Sequence, residues 1–195
     1  MLDKITPDVS GEGIKHADVI IEAIFEDLKV KQDLFKKIES VAKPDAILAT
    51  NTSSILLDEI NQVLQDKSRL VGIHFFNPVA KMMLVEVVRG KQTAEDVANR
   101  SYAFVNQISK LPLPVASSPG FLVNRVLAAY MHETFILLSE GYSPELIDKT
   151  MKNFGMAMGP VEMADIVGLD ICLSVAKNIS RYYGEAIPEI LQNKV

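Results

Sequence analysis

The sequence predicts an α/β half built on a mostly parallel sheet, followed by a half made only of helices. Three observations carry this expectation. Short β-type apolar runs alternate with longer amphipathic stretches over residues 1–117, the pattern of strand–helix–strand units. Strand signals then stop at Ser117-Ser118, and beyond Pro119-Gly120 the chain reads as helices alone. With 48% hydrophobic residues among 195, and charges spread rather than blocked, the chain has enough apolar surface for a core in each half. The expected domains are therefore 1–117 and 118–195.

The elements follow in order. Ala17-Asp-Val-Ile-Ile-Glu-Ala-Ile24 reads as the first strand. From Asp27 to Val41, Leu28, Phe35 and Ile38 recur at helical spacing, and Pro44 closes the segment. Ala46 to Thr50 is a second strand, Leu57 to Leu64 a short helix, and Leu70 to Phe76 a third strand that ends at Asn77-Pro78. Leu84 to Val88 is a fourth. A helix from Thr93 to about Ser109 carries Glu95 and Asp96 at its positive N-terminal end, and Leu113-Pro-Val-Ala116 is a last short strand. The helical half divides into Phe121 to Glu140, ended by Gly141; Pro144 to Phe154, capped by Ser143; and Val161 to Tyr183, with a break at Gly168.

Composition removes several function classes. A net charge of −5 with no basic stretch argues against nucleic acid. The single cysteine, Cys172, sits in an apolar run, reads as a core thiol and allows no internal disulfide. Scattered histidines offer no metal-ligand pair at helical or strand spacing, so no metal is expected. No apolar run reaches the roughly 20 residues of a membrane span, and the first residues do not resemble a signal peptide. The expectation is a soluble protein inside the cell.

Candidate chemistry gathers where strands end. Asn51-Thr-Ser-Ser54 follows the second strand and His74-Phe-Phe-Asn-Pro78 closes the third, the edge at which open parallel sheets bind ligands. Glu86 lies among Val85, Val87 and Val88, where a buried carboxylate requires a partner. Were His74 that partner, Glu86 would fix the ring tautomer and favour the imidazolium formed when the ring takes a proton, making His74 a general base. The bland alternatives are a structural histidine, a glutamate turned to water, and serines that merely cap the helix near Leu57. Read alone, Asn124 is a surface polar residue. Gly11-Glu-Gly13 precedes the first strand without a third glycine and does not make a phosphate loop.

Taken together, Phe25-Glu-Asp-Leu-Lys-Val-Lys31, Asn51-Thr-Ser-Ser54, Gly72-Ile-His-Phe-Phe-Asn-Pro78, Leu84-Val-Glu-Val-Val88 and Pro119-Gly-Phe-Leu-Val-Asn-Arg125 resemble the 3-hydroxyacyl-CoA dehydrogenase family. The likeness extends through Phe154-Gly-Met-Ala-Met-Gly-Pro160 and Ala164-Asp-Ile-Val-Gly-Leu-Asp170, and in wording it is strongest to the dehydrogenase part of the fused hydratase-dehydrogenase proteins of fatty-acid β-oxidation. The resemblance implies oxidation of an (S)-3-hydroxyacyl-CoA to the 3-ketoacyl-CoA, with NAD as hydride acceptor. It implies His74 as base and Glu86 as the group that orients it. Ser53, Asn77 and Asn124 match substrate-side positions, and Glu26, Lys31 and Asn51 match the nicotinamide-ribose end of the cofactor site.

Members of that family begin with a strand, a G-x-G-x-x-G turn and a helix, and then a strand ending in an acidic residue for the adenosine ribose. The present sequence has none of these, so the expectation becomes an N-terminally truncated Rossmann-like domain followed by the helical C-terminal dehydrogenase domain. Weak NAD binding by the chain alone, an uncovered sheet edge and self-association or packing against a like domain follow as expectations. So does an alternative in which the chain is an inactive fragment or an assembly module of a larger β-oxidation enzyme. Localisation would be cytoplasmic in a bacterium, and mitochondrial or peroxisomal in a eukaryote.

Overall fold

The computed structural model describes residues 4–184 and 186–192. The chain divides into two compact units, 1–117 and 118–195.

The first unit is a five-stranded sheet whose spatial order follows the sequence: β1 (Val19–Glu22), β2 (Ile47–Thr50), β3 (Leu70–Phe75), β4 (Leu84–Arg89) and β5 (Leu111–Ala116). β1, β2 and β3 run parallel, β4 turns back against β3, and β5 is parallel to β4. Connection length explains the reversal. Parallel neighbours need a crossover, which α1 (Leu28–Val41), α2 (Leu57–Ile60) and α3 (Glu95–Gln107) provide, whereas residues 76–83 are too few for anything but a return.

Alternation sorts the strands onto two faces. Ile47, Ala49, Val71, Ile73, Val85 and Val87 pack with Val97 and Val105 of α3. The residues between them turn to the other face, where Lys31 of α1 reaches Glu22 of β1. On that face Gly72 lies opposite Val88, and a Cβ at Gly72 would come 2.7 Å from the valine Cβ. Only glycine lets the two strands pair there.

Several boundaries differ from the sequence reading for local reasons. β1 is limited to Val19–Glu22, because Glu22 caps the turn that follows by accepting the Ile24 N–H at 2.6 Å. α2 passes into a 3₁₀ turn at Asn61–Val63. α3 begins at Glu95 instead of Thr93, because the Thr93 hydroxyl donates to the Leu70 carbonyl at 2.7 Å and accepts the Gly90 N–H at 2.9 Å. β5 starts at Leu111 and includes both Pro112 and Pro114; as an edge strand it can turn two missing N–H groups away from its neighbour.

The second unit contains α4 (Val123–Ser139), α5 (Pro144–Phe154), α6 (Pro160–Val167), α7 (Leu169–Tyr183) and a short α8 (Glu189–Gln192) that the sequence reading lacks. Ser143 caps α5 by accepting the Leu146 N–H. Gly168, at φ 98°, separates α6 from α7. Asp148 of α5 caps α6 across the unit, accepting the Val161 and Glu162 N–H groups at 2.8 and 3.0 Å. Phe135, Ala164, Leu173 and Leu191 form the core, with Cys172 half-buried beside them; burial first, and then the charge of Asp170, hold its thiol above the usual range. Among the described residues no helix is long and apolar enough to cross a membrane, and no three side chains gather as a metal site would require.

Candidate active site

His74 is the fifth residue of β3 and Glu86 the third of β4, and the antiparallel register sets them directly opposite. Cross-strand partners share a face, so both side chains turn away from α3. His74 Nδ1 lies 2.8 Å from Glu86 Oε2, with the glutamate wholly buried and the histidine 6% exposed. An ionised carboxylate only accepts, so Nδ1–H donates to it and the neutral ring keeps its lone pair on Nε2. The Phe76 ring, 4.7 Å from the imidazole centroid and tilted by 58°, restricts the ring further.

A second polar cluster forms at the carboxyl ends of β1 and β2. Glu22 is the register partner of Thr50. Its carboxylate accepts from the Thr50 hydroxyl at 2.7 Å, from Lys31 Nζ at 2.7 Å and from the Ile24 N–H at 2.6 Å. Lys31, only 1% exposed, also lies 3.3 Å from Glu26 Oε2. Glu26 reaches the turn after β2: Oε1 accepts from the Thr52 hydroxyl, from the Ser53 and Ser54 N–H groups at 3.1 and 3.2 Å, and from the Ser54 hydroxyl at 3.0 Å. Burial pushes the Glu26 carboxyl upward, but the Thr52 hydroxyl, the Lys31 charge and the Ser54 hydroxyl outweigh it and hold the group below the ordinary glutamate range.

Asn51 joins the two clusters. Its Oδ1 accepts the Phe75 N–H at 2.9 Å and its own N–H donates to the Glu22 carbonyl at 2.8 Å, which ties the ends of β1, β2 and β3 together. Because a backbone N–H fixes Oδ1, the carboxamide NH2 is the donor end of this side chain. Ser53 is half-buried in the turn that Glu26 holds, while Asn77 is exposed in the segment after β3, at a cis bond to Pro78. Asn124 stands in the first turn of α4, in the second unit.

The sequence reading missed Glu22, Thr50 and Thr52. The signal for Glu22 was present, since Val19-Ile-Ile-Glu22 buries a carboxylate in an apolar strand just as the Glu86 run does. Of the residues expected at a nicotinamide cofactor, Glu26 offers a partly exposed anionic acceptor and Asn51 an amide donor. These suit the ribose end. The chain contains no G-x-G-x-x-G sequence, so nothing here matches a pyrophosphate cradle of that type.

The comparisons with known proteins agree with one another. Residues 1–118 match the family model for the 3-hydroxyacyl-CoA dehydrogenase NAD binding domain, and residues 120–195 match that for the C-terminal domain. The fatty acid oxidation complex subunit alpha of Idiomarina loihiensis is 42% identical over 171 residues, covering 87% of this chain and 24% of that protein. Its counterpart from a Shewanella species is 38% identical over 181 residues, covering 93% of this chain and 26% of that protein. The chain thus spans about a quarter of the length of these curated relatives. Among solved structures, the (S)-3-hydroxybutyryl-CoA dehydrogenase PaaH1 from Ralstonia eutropha has a TM-score of 0.94 at 36% identity, covering 98% of this chain and 70% of that one. The dehydrogenase part of a multifunctional enzyme from C. elegans has a TM-score of 0.58 at 34% identity, over 91% of this chain and 41% of that one. With both domains of the family matched in sequence, this chain belongs to the 3-hydroxyacyl-CoA dehydrogenase family.

Proposed function

We propose that the chain carries the catalytic residues for NAD-dependent oxidation of a 3-hydroxyacyl-CoA to the 3-ketoacyl-CoA. The observation that carries the reading is the buried His74–Glu86 pair, joined at 2.8 Å beside the carboxyl ends of the parallel strands. His74 takes the proton of the 3-hydroxyl through Nε2. Glu86 holds the ring in the tautomer that leaves Nε2 basic and stabilises the imidazolium that results. Ser53 and Asn124 hydrogen-bond the reacting oxygen or the acyl-CoA beside it, and Asn77 supports that network. Glu26 and Asn51 hold the nicotinamide-ribose end of the cofactor, which when bound supplies the hydride acceptor, and the buried Lys31 serves that end through its ion pair with Glu26.

Names of relatives support the substrate class: a fatty acid oxidation complex subunit and a 3-hydroxybutyryl-CoA dehydrogenase. Bacterial relatives favour a cytoplasmic setting. The test is calorimetric titration of the chain with NADH and, separately, acetoacetyl-CoA, followed by turnover assays. Acetoacetyl-CoA binding that weakens in Asn124→Ala supports the reading; a chain that binds neither ligand sinks it.

A second reading, that the chain serves assembly with a second copy or a like domain, is favoured by the exposed apolar side chains of the second unit, Phe154 at 80%, Ile166 at 67% and Val126 at 64%. A stable dimer that binds neither NADH nor acetoacetyl-CoA selects it.

A further inference from the structure

The Glu22–Lys31–Glu26 network contains more charge than neutralisation requires. One carboxylate would balance the buried ammonium, yet two approach it, at 2.7 and 3.3 Å. The two carboxylates are held differently. Glu22 is fixed to the sheet, with Thr50 on one oxygen and Lys31 and the Ile24 N–H on the other. Glu26 sits in the β1–α1 connection, with its side chain 38% exposed, and spends one oxygen on the turn made by Thr52, Ser53 and Ser54. Glu22 takes the shorter contact with Lys31, so Glu26 keeps Oε1 on the turn while Oε2 faces the ammonium at 3.3 Å. Without the Glu22 charge, the nearest counter-charge for a buried ammonium is Glu26, and in a low-dielectric setting that attraction competes with the serine amides for the same carboxylate.

We propose that Glu22 is a positioning residue: anchored in the sheet by Thr50, it fixes the Lys31 ammonium so that Glu26 stays on the Thr52–Ser54 turn and thereby sets the place of Ser53. The importance of that place rests on the reading of Ser53 and Glu26 as site residues given above; the relay itself does not.

The test is amide hydrogen exchange, followed by NMR on the 195-residue chain, in wild type, Glu22→Gln, Lys31→Met and the double variant. Glu22→Gln raises exchange at the Ser53 and Ser54 amides roughly tenfold, the scale set by loss of a charge-assisted hydrogen bond, whereas Lys31→Met, which removes the ammonium that would draw Glu26 away, leaves it close to wild type. The double variant returns exchange to the Lys31→Met level, because without the ammonium Glu22 has nothing to restrain. Unchanged exchange in Glu22→Gln overturns the proposal. So does a double variant that exchanges as fast as Glu22→Gln or faster, or a rise spread equally over the β2 amides, since both describe general loosening. If Glu22→Gln does not fold, Thr50→Val removes one donor to Glu22 without changing charge; a smaller rise confined to the same two amides is expected, and its absence is equally fatal. Acetoacetyl-CoA titration of the same proteins separates the two claims. Failure of the wild type to bind it counts against the proposed function, while the exchange cycle still decides the relay.

Discussion

At the His74–Glu86 pair, a 2.8 Å contact between buried groups joins two strands and orients one imidazole nitrogen. His74→Ala removes the proposed base, and kcat for acyl-CoA oxidation should fall about a hundredfold to ten-thousandfold in the folded protein, with a loss of stability because the buried Glu86 carboxylate loses a hydrogen-bond donor, checked by steady-state assay and circular dichroism. Glu86→Gln keeps the shape but loses the charge that stabilises the imidazolium; a loss of about a hundredfold is expected, mainly in kcat. Glu26 gives a pH prediction. Its folded pKa is held below the ordinary glutamate value, so its contribution to stability is complete above the ordinary glutamate range and disappears as pH falls through the depressed value. In melts at stepped pH, the gap in Tm between wild type and Glu26→Gln should therefore close on acidification. A gap that widens toward acid would contradict this. Both glutamates of the second cluster occupy positions that the sequence could flag only in part: Glu26 was legible through family resemblance, whereas Glu22 was passed over although its apolar strand raised the same question as that around Glu86.

Among the elements, β4 shows how a register creates a site. Gly72 faces Val88 two positions from the His74–Glu86 pairing, and an added Cβ would stand 2.7 Å from the valine. Gly72→Ala should cost about 1–3 kcal/mol in urea unfolding and lower activity as well, because the β3–β4 ladder must shift to relieve the clash. In the helical unit, Asp148 holds the two N–H groups that open α6. Asp148→Ala should destabilise the chain by about 1 kcal/mol, read by thermal denaturation, since the α6 donors lose a charged acceptor. Strand and helix periodicity, Gly168 as a break and Ser143 as a cap were readable in advance. The reversal of β4 was not stated, because an apolar run has the same pattern in either direction. The withdrawal of Thr93 from α3 was also hidden, since its hydroxyl bonds the Leu70 carbonyl, a partner more than twenty positions away in the chain.

For the whole molecule, the division into an α/β unit and a helical unit leaves exposed apolar side chains on the second and β1 at one edge of the sheet. Sedimentation velocity should reveal concentration-dependent association, weakened in Phe154→Ser and Ile166→Asp; a monomer at every concentration would remove the assembly reading. Sequence alone determined the five strands and the longer helices, where the strands give way to helices, and the family to which the motifs point. Periodicity, capping residues and contiguous motifs are local properties, and local properties are written in the order of residues. Tertiary structure decided that His74 meets Glu86, that Lys31 is shared between two carboxylates, and that Glu26 grips the Thr52–Ser54 turn. Those facts depend on strand register and on burial, which bring together groups 5 to 28 positions apart and give each charge its partner.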